Sequence, residues 1–128
     1  MLLTHQKGFF VGTSTAASSR GFRLTTEVEN GIVILYPEGR LTLEFSQEFK
    51  AQVKAMMTTP GHILLDMSGV TYVDSSGLGA VVSVYTSAKA IGCKFQICNM
   101  MDPVKKIFGL TRVLDAFESC GAYLSKMP

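Results

Sequence analysis

Residues 72–82 read "YVDSSGLGAVV" and place two adjacent serines between an aspartate and a Gly-Leu-Gly triplet. The β-prone residues before Asp74 and the run after it predict a join between a strand and a helix. Asp74 stands where a helix N-cap belongs, and its carboxylate can accept hydrogen bonds from the backbone N–H groups of Ser76 or Gly77. Such a join can be a nucleophile elbow, an anion cradle, a plain helix cap or a site of phosphorylation.

The two serines fall in the first turn of the predicted helix, beside the positive end of its dipole. A phosphate on Ser75 would lie near unpaired backbone N–H groups and would add about −1.5 to −2 charges. Because Asp74 repels that charge, phosphorylation is expected to change the surface charge greatly and the fold little. The alternative is an ordinary Asp cap followed by two serines of a first helical turn.

The helix predicted over residues 75–91 has two different sides, and Gly92 ends it. The apolar side, expected to face the sheet, consists of Leu78, Val81, Val82, Tyr85 and Ala88. The other side holds small, uncharged residues: Ser76, Gly79, Ala80, Ser83, Ser87 and Ala90. Lys89 is the only charged residue in this helix. Small residues let another backbone approach closely, so this side predicts either a partner-docking face or contact with a second element of the same domain.

The sequence offers little support for enzymatic chemistry. The G-x-S-x-G elbow is absent, and neither His5 nor His62 is a convincing base for a nucleophilic serine. No nucleotide-binding glycine pattern and no metal-ligand spacing occurs, so no enzyme activity, cofactor or metal is predicted. The net charge is +2 and the basic residues are dispersed, which argues against direct nucleic-acid binding. No apolar run approaches the roughly 20 residues that span a bilayer, and a cytoplasmic protein without a membrane span is predicted.

The three cysteines are predicted to be free thiols. Their number is odd and no C-x-x-C pair occurs, so neither a disulfide nor a metal site is indicated. Cys93 and Cys98 lie five residues apart in one apolar run, so in a strand their side chains would point to opposite faces.

The 128-residue sequence as a whole predicts a flexible arm at residues 1–22 and a single α/β domain over residues 23–128. Before the helix at residues 75–91, the patterns predict a hairpin that turns at Asn30-Gly31, an amphipathic helix and a strand at residues 62–67. After it, they predict a strand at residues 93–100, a helix that begins at Asp102-Pro103 and a last strand near residues 114–118. This β-β-α-β-α-β-α-β order predicts a mixed sheet, an N-terminal antiparallel hairpin followed by parallel β-α units, with helices packed on it.

In this order of elements the motifs resemble the anti-sigma factor antagonist family, that is, the STAS domain. The matching marks are "DMSGV" at residues 66–70, "DSSGLG" at residues 74–79, the lysine-containing strand at residues 93–99 and the helix that carries "KIF" at residues 106–108. The stretch "YPEGRLT" at residues 36–42 is similar to the family's strand-and-loop that usually reads Gly-Glu-Leu-Asp. The resemblance covers about residues 24–118 and implies a STAS-type mixed sheet.

The resemblance implies a bacterial cytoplasmic protein that binds an anti-sigma factor, a serine kinase of the histidine-kinase-like ATPase type, and thereby frees a sigma factor. In the family, the kinase phosphorylates the serine directly after the motif aspartate, which is Ser75 here, and a serine phosphatase reverses this. Phosphorylated antagonist does not hold the anti-sigma factor. The residues expected to dock the partner are Asp74, Ser76, Gly77, Leu78, Gly79, Ala80, Ser83, Arg40 and Thr42.

Two residues depart from the family pattern and leave a second function open. Thr42 stands where the family usually has Asp, and Arg40 stands where it has Glu. Because this loop lies near the phosphorylation site in the family fold, the chain can instead be a STAS interaction module of a transport or sensory complex that is never phosphorylated.

Overall fold

The structure is a computed structural model that describes residues 21–124, so most of the arm predicted at residues 1–22 lies outside the described residues. Its strands are β1 (Phe22–Glu29), β2 (Ile32–Leu41), β3 (Gly61–Asp66), β4 (Gly69–Val73), β5 (Cys93–Cys98) and β6 (Tyr123–Leu124). Its helices are α1 (Leu43–Ala55), α2 (Ser75–Ile91), α3 (Asp102–Leu110) and α4 (Val113–Ser119). The mixed α/β architecture is therefore confirmed.

The β1–β2 hairpin turns where the sequence predicts it. Asn30 and Gly31 have φ values of 54° and 81°, the left-handed pair that a two-residue hairpin turn requires. The two strands pair antiparallel from Phe22–Gly39 at the open end to Glu29–Ile32 at the turn.

Strand β2 carries two different parallel neighbours along its length. Its first half pairs with β3 through residues 33–35, and its second half pairs with β4 through residues 38–41. The register shifts between Gly39 and Arg40, where β2 has an irregularity. Beyond β3 the sheet continues with β5 and β6, both parallel, which gives the order β1-β2-β3-β5-β6 with β4 beside β2. The carboxyl ends of the parallel strands thus lie at the same edge of the sheet.

The main core lies between the sheet and the helices. Helices α1 and α2 pack against each other, and fully buried side chains on both, such as Phe49 and Val84, belong to one cluster with Leu35, Leu65 and Ile97 of the sheet. A second, smaller cluster contains Ile34, Leu64 and Cys98. Cys93 belongs to the first cluster and Cys98 to the second, which confirms that their side chains lie on opposite faces. All three cysteines are free.

Two predictions for the elements are wrong. The segment predicted as a last strand near residues 114–118 is helix α4, and its buried residues Leu114 and Phe117 are three apart, the spacing of a helix face. The predicted order of elements has only the strand at residues 62–67 between the first two helices, whereas the structure has a second strand, β4, directly before Asp74. In addition, Asp102 is the first residue of α3 and Met101 is its N-cap, so Pro103 takes the second helical position.

Among residues 21–124, none of the helices is both long and apolar enough to cross a membrane.

Candidate functional site

The candidate site lies where β2 and β4 end side by side. Leu41, the last residue of β2, pairs with Val73, the last residue of β4. Helix α1 begins at Leu43 and helix α2 begins at Ser75, so two helix N-termini leave the sheet from adjacent positions. Each N-terminus presents backbone N–H groups that have no partner within their own helix.

A single carboxylate, that of Asp74, serves both helix N-termini. Its Oδ1 accepts a hydrogen bond from the Gly77 N–H (2.8 Å), which confirms the predicted cap of α2. Its Oδ2 accepts a hydrogen bond from the Leu43 N–H (3.0 Å) in the first turn of α1. Thr42, the N-cap residue of α1, makes no side-chain capping bond, so Asp74 provides the side-chain cap that Thr42 does not. The contact between residues 43 and 74 ties the two helices together at their positive ends.

Helix α2 approaches the end of β2 so closely that only glycine fits at position 77. A Cβ on Gly77 would collide with the carbonyl oxygen of Leu41 and would lie 3.0 Å from Cγ1 of Val73. The colliding atom belongs to the backbone and cannot rotate away. By contrast, a Cβ on Gly79 would meet nothing within 4 Å. Of the two glycines that follow the serines, one is required by packing and the other faces open space.

Ser75 is the exposed hydroxyl of this site. It is the first residue of α2, directly after the capping aspartate, and its side chain is open to solvent. Ser76 is half-buried. Because Asp74 is held by two backbone N–H groups, the residue before Ser75 is fixed while Ser75 itself is accessible.

The predicted docking residues do not all reach the surface. Gly77 and Ala80 are buried, while Gly79 is exposed and Ser83 is half-buried. Leu78 is half-buried and packs against the main core, as the predicted apolar side requires. The small-residue side of α2 is thus partly covered by the domain itself, since α1 packs on α2, and partly open.

Arg40 and Tyr72 form an exposed pair next to the site. They face each other across β2 and β4, and the Arg40 guanidinium carbon lies 4.4 Å from the centroid of the Tyr72 ring, a cation–π contact. Two exposed apolar residues here, Tyr72 (42% exposed) and Leu43 (69% exposed), were not among the predicted docking residues. Their signal in the sequence was weak, because a lone apolar residue at a strand or helix end is normally read as core.

His62, the histidine among residues 21–124, is remote from Ser75. His62 lies near the start of β3, at the edge of the sheet opposite to Ser75, and its Nε2 is 2.8 Å from Oε1 of Gln96. Residues 21–124 also contain no group of three or more His, Cys, Asp or Glu side chains placed to hold a metal ion.

Removal of the shared cap is expected to weaken the whole domain. Asp74→Ala leaves the N–H groups of Leu43 and Gly77 without their side-chain acceptor, and each lost cap costs about 1 kcal/mol, so we expect the free energy of unfolding to fall by about 2 kcal/mol. Asp74→Asn keeps one acceptor oxygen and should lose about half as much. Urea denaturation followed by circular dichroism measures both. An Asp74→Ala variant as stable as the parent would show that the carboxylate does not support the two helices.

Comparison with known proteins finds a matching family model and a similar sequence. The family model described as the STAS domain matches residues 23–125. A Thermotoga neapolitana protein, named provisionally as an anti-sigma factor antagonist, is 28% identical over 89 residues, which cover 68% of this chain and 79% of that protein.

Solved structures of two kinds of protein extend the comparison. The anti-sigma factor antagonist SpoIIAA in its unphosphorylated form superposes with a TM-score of 0.63 at 18% identity, covering 83% of this chain and 88% of that one. The Bacillus cell fate determinant SpoIIAA has also been solved in a phosphorylated form. The murine anion transporter Slc26a9 superposes with a TM-score of 0.66 at 22% identity over 79% of this chain but only 17% of the transporter. At these identities the two likenesses concern the fold alone.

Proposed function

The chain belongs to the STAS domain family, and from this premise we propose that it is an anti-sigma factor antagonist whose binding to its anti-sigma factor is switched off by phosphorylation of Ser75. In this function the chain is a binding protein and not an enzyme. Its partners are an anti-sigma factor that is also a serine kinase of the histidine-kinase-like ATPase type, and a serine phosphatase. It acts in the bacterial cytoplasm as a single domain over residues 23–128, without a cofactor.

The observation that carries the proposal is the exposed Ser75 hydroxyl directly after a fixed aspartate. A kinase needs a hydroxyl that can enter its active site, and Ser75 is open to solvent at the very start of α2. The half-buried Ser76 is the less suitable acceptor. The name of the Thermotoga neapolitana relative supports the anti-sigma factor as the partner.

We define the docking surface as the accessible residues around Ser75: Arg40, Thr42, Leu43, Tyr72, Asp74, Ser76, Gly79 and Ser83. It combines exposed apolar groups at Leu43 and Tyr72 with small residues along α2. Large apolar side chains next to small ones are suited to a protein partner, since the former fill pockets and the latter allow close backbone approach. Gly77, Leu78 and Ala80 act below this surface by fixing where α2 lies.

Charge alone is sufficient for the switch in this arrangement. A phosphate on Ser75 adds about −1.5 to −2 charges beside the carboxylate of Asp74. That carboxylate is engaged by the Leu43 and Gly77 N–H groups and cannot move aside without loss of both hydrogen bonds. The added charge therefore stays on the docking surface, where it repels acidic groups of the partner and must be desolvated on binding.

Phosphate incorporation tests the acceptor residue directly. With the cognate kinase and ATP, we expect one phosphate per parent chain, none on Ser75→Ala and normal labelling of Ser76→Ala, because the second serine is half-buried. Intact-mass spectrometry measures the stoichiometry, and peptide fragmentation locates the phosphate. Labelling of Ser75→Ala to the level of the parent would refute the assignment.

The second candidate is a STAS interaction module of a transport or sensory complex that is never phosphorylated. The observation in its favour is the Arg40–Tyr72 pair, which holds a cation over a ring three residues before Ser75, at a position where the family usually carries an acidic residue. The fold likeness to part of the anion transporter is compatible with it. A pull-down from the native cell distinguishes the two, since the antagonist should capture a kinase and the module a transporter or receptor.

A further inference from the structure

An open cavity lies at the other end of α2 from Ser75. Its volume is about 210 Å³, which suits one arm of a small molecule better than a drug-sized ligand. Tyr85 and Lys89 line it from α2, residues 93–96 line it from β5, and residues 120–122 line it from the turn between α4 and β6.

Cys120, which ends α4, opens into this cavity and is held by a specific contact. The thiol is exposed, and its Sγ lies 3.1 Å from the hydroxyl oxygen of Tyr85. The Tyr85 ring is positioned by the rings of Phe117 (centroids 5.1 Å apart) and Phe95 (6.3 Å). In the neutral thiol, the proton can be donated to the carbonyl oxygen of Phe117 at 3.5 Å. The Tyr85 hydroxyl then remains a donor to the sulfur.

The surroundings of Cys120 favour the thiolate, the nucleophilic form of cysteine. The hydrogen bond from Tyr85 lowers the pKa of the Cys120 thiol, and the charge of Lys89 acts in the same direction. Lys94 also lines the cavity, while no Asp or Glu occurs among the described residues that line it. The cavity therefore combines an exposed sulfur with two cations and no opposing carboxylate.

The other two cysteines lack these features. Cys93 and Cys98 are both buried, and burial together with the nearby Asp66 raises the pKa of the Cys98 thiol to about 12. Cys93 and Cys98 therefore serve as unreactive thiols with which Cys120 can be compared in the same chain.

We propose that Cys120 is a thiol-modification site whose cavity receives a small disulfide that carries carboxylate groups. After the Cys120 proton passes to solvent, the thiolate sulfur attacks one sulfur of the disulfide. The bond between the reagent's two sulfurs breaks as the new bond to Cys120 forms, and the displaced sulfur leaves as a thiolate that takes a proton from water. Lys89 and Lys94 bind the carboxylates and orient the reagent. This site is independent of the phosphorylation of Ser75.

The rate of disulfide exchange on the full chain tests the proposal with two probes. Dithiobis(nitrobenzoate) is anionic and dithiodipyridine is neutral, and both release a coloured thiolate or thione. Near neutral pH, we expect one fast-reacting thiol per chain. Its rate constant with the anionic probe should be at least ten times the rate constant of free N-acetylcysteine with the same probe. Cys120→Ser should abolish this phase and leave the protein folded, because the side chain is exposed.

Two further variants separate anion recognition from thiol activation. Lys94→Gln should slow the anionic probe severalfold and change the neutral probe less than twofold, because Lys94 lines the cavity but is not among the groups that lower the pKa of the Cys120 thiol. Tyr85→Phe keeps the ring but removes the hydroxyl, so it should slow both probes. A fast phase that survives in Cys120→Ser would overturn the proposal. So would a Lys94→Gln variant that affects both probes equally or neither probe, provided that circular dichroism shows the native fold.

Discussion

Ser75→Asp is expected to bind the anti-sigma factor at least tenfold more weakly than the parent, a loss of about 1.4 kcal/mol. Phosphoserine, with about twice the charge, should weaken binding roughly a hundredfold, or about 2.8 kcal/mol. The reason is that Asp74 is held by the Leu43 and Gly77 N–H groups, so a new anion at position 75 adds to a fixed like charge beside it, repels acidic groups of the partner and must be desolvated on binding. Isothermal titration calorimetry with the isolated partner measures each loss.

Ser75→Asn is the matched control, because asparagine has nearly the size of aspartate and no charge. We expect it to bind within about threefold of the parent, that is, within about 0.7 kcal/mol. Equal weakening by asparagine and aspartate would show that bulk rather than charge controls docking. Undiminished binding of phosphorylated protein would remove the switch and leave the constitutive interaction module as the better account.

Of the two glycines in α2, Gly77 is the one at which an added methyl group should destabilise the domain. The new Cβ would collide with the Leu41 carbonyl oxygen, which is fixed in β2, so α2 must shift and strain the hydrogen bonds to Asp74. Overpacking of this kind against a rigid neighbour costs about 3 kcal/mol, and the better helix propensity of alanine, about 1 kcal/mol, recovers only part of it. We expect the free energy of unfolding, measured by urea denaturation, to fall by about 2 kcal/mol.

Gly79→Ala, in the same helix, is expected to change the free energy of unfolding in the opposite direction. Its Cβ would meet nothing within 4 Å, so only the helix propensity changes and the free energy of unfolding should rise by about 0.5–1 kcal/mol. Gly79 also lies on the docking surface, and the more stable variant reveals whether a methyl group there hinders the partner. If both glycine variants changed stability by the same amount, the close approach of α2 to β2 would be contradicted.

The sequence predicts best those features that local chemistry decides. Asn30-Gly31 can adopt positive φ values cheaply, so the hairpin turn was placed correctly. Helix α2 runs over the predicted residues 75–91, because an aspartate caps its start and Gly92 (φ 79°) ends it in the left-handed conformation. The exposure of Ser75 also follows from its position at a capped helix start.

Features that depend on contacts between distant parts of the chain could not be predicted from the local sequence. The bond from the Leu43 N–H to Asp74 joins residues 31 positions apart and exists only because β2 and β4 end side by side. Helix α4 was mistaken for a strand although it contains the helix formers Leu, Ala and Glu, because a segment of 7 residues is too short for the spacing of Leu114 and Phe117 to identify a helix. Whether α1 or a partner covers the small side of α2 is likewise decided by tertiary packing.

The shared carboxylate of Asp74 limits how this protein can diverge in evolution. A substitution at position 74 disturbs two helices at once, so it costs folding stability whatever the partner demands. No comparable role in folding is seen for the side chains of Arg40, Thr42, Leu43 and Tyr72. Arg40 and Tyr72 contact each other, and Thr42 makes no side-chain capping bond. The proposed docking surface can therefore be fitted to a different partner by exchange of these four side chains, while Ser75 and the two helix N-termini beside it keep their positions.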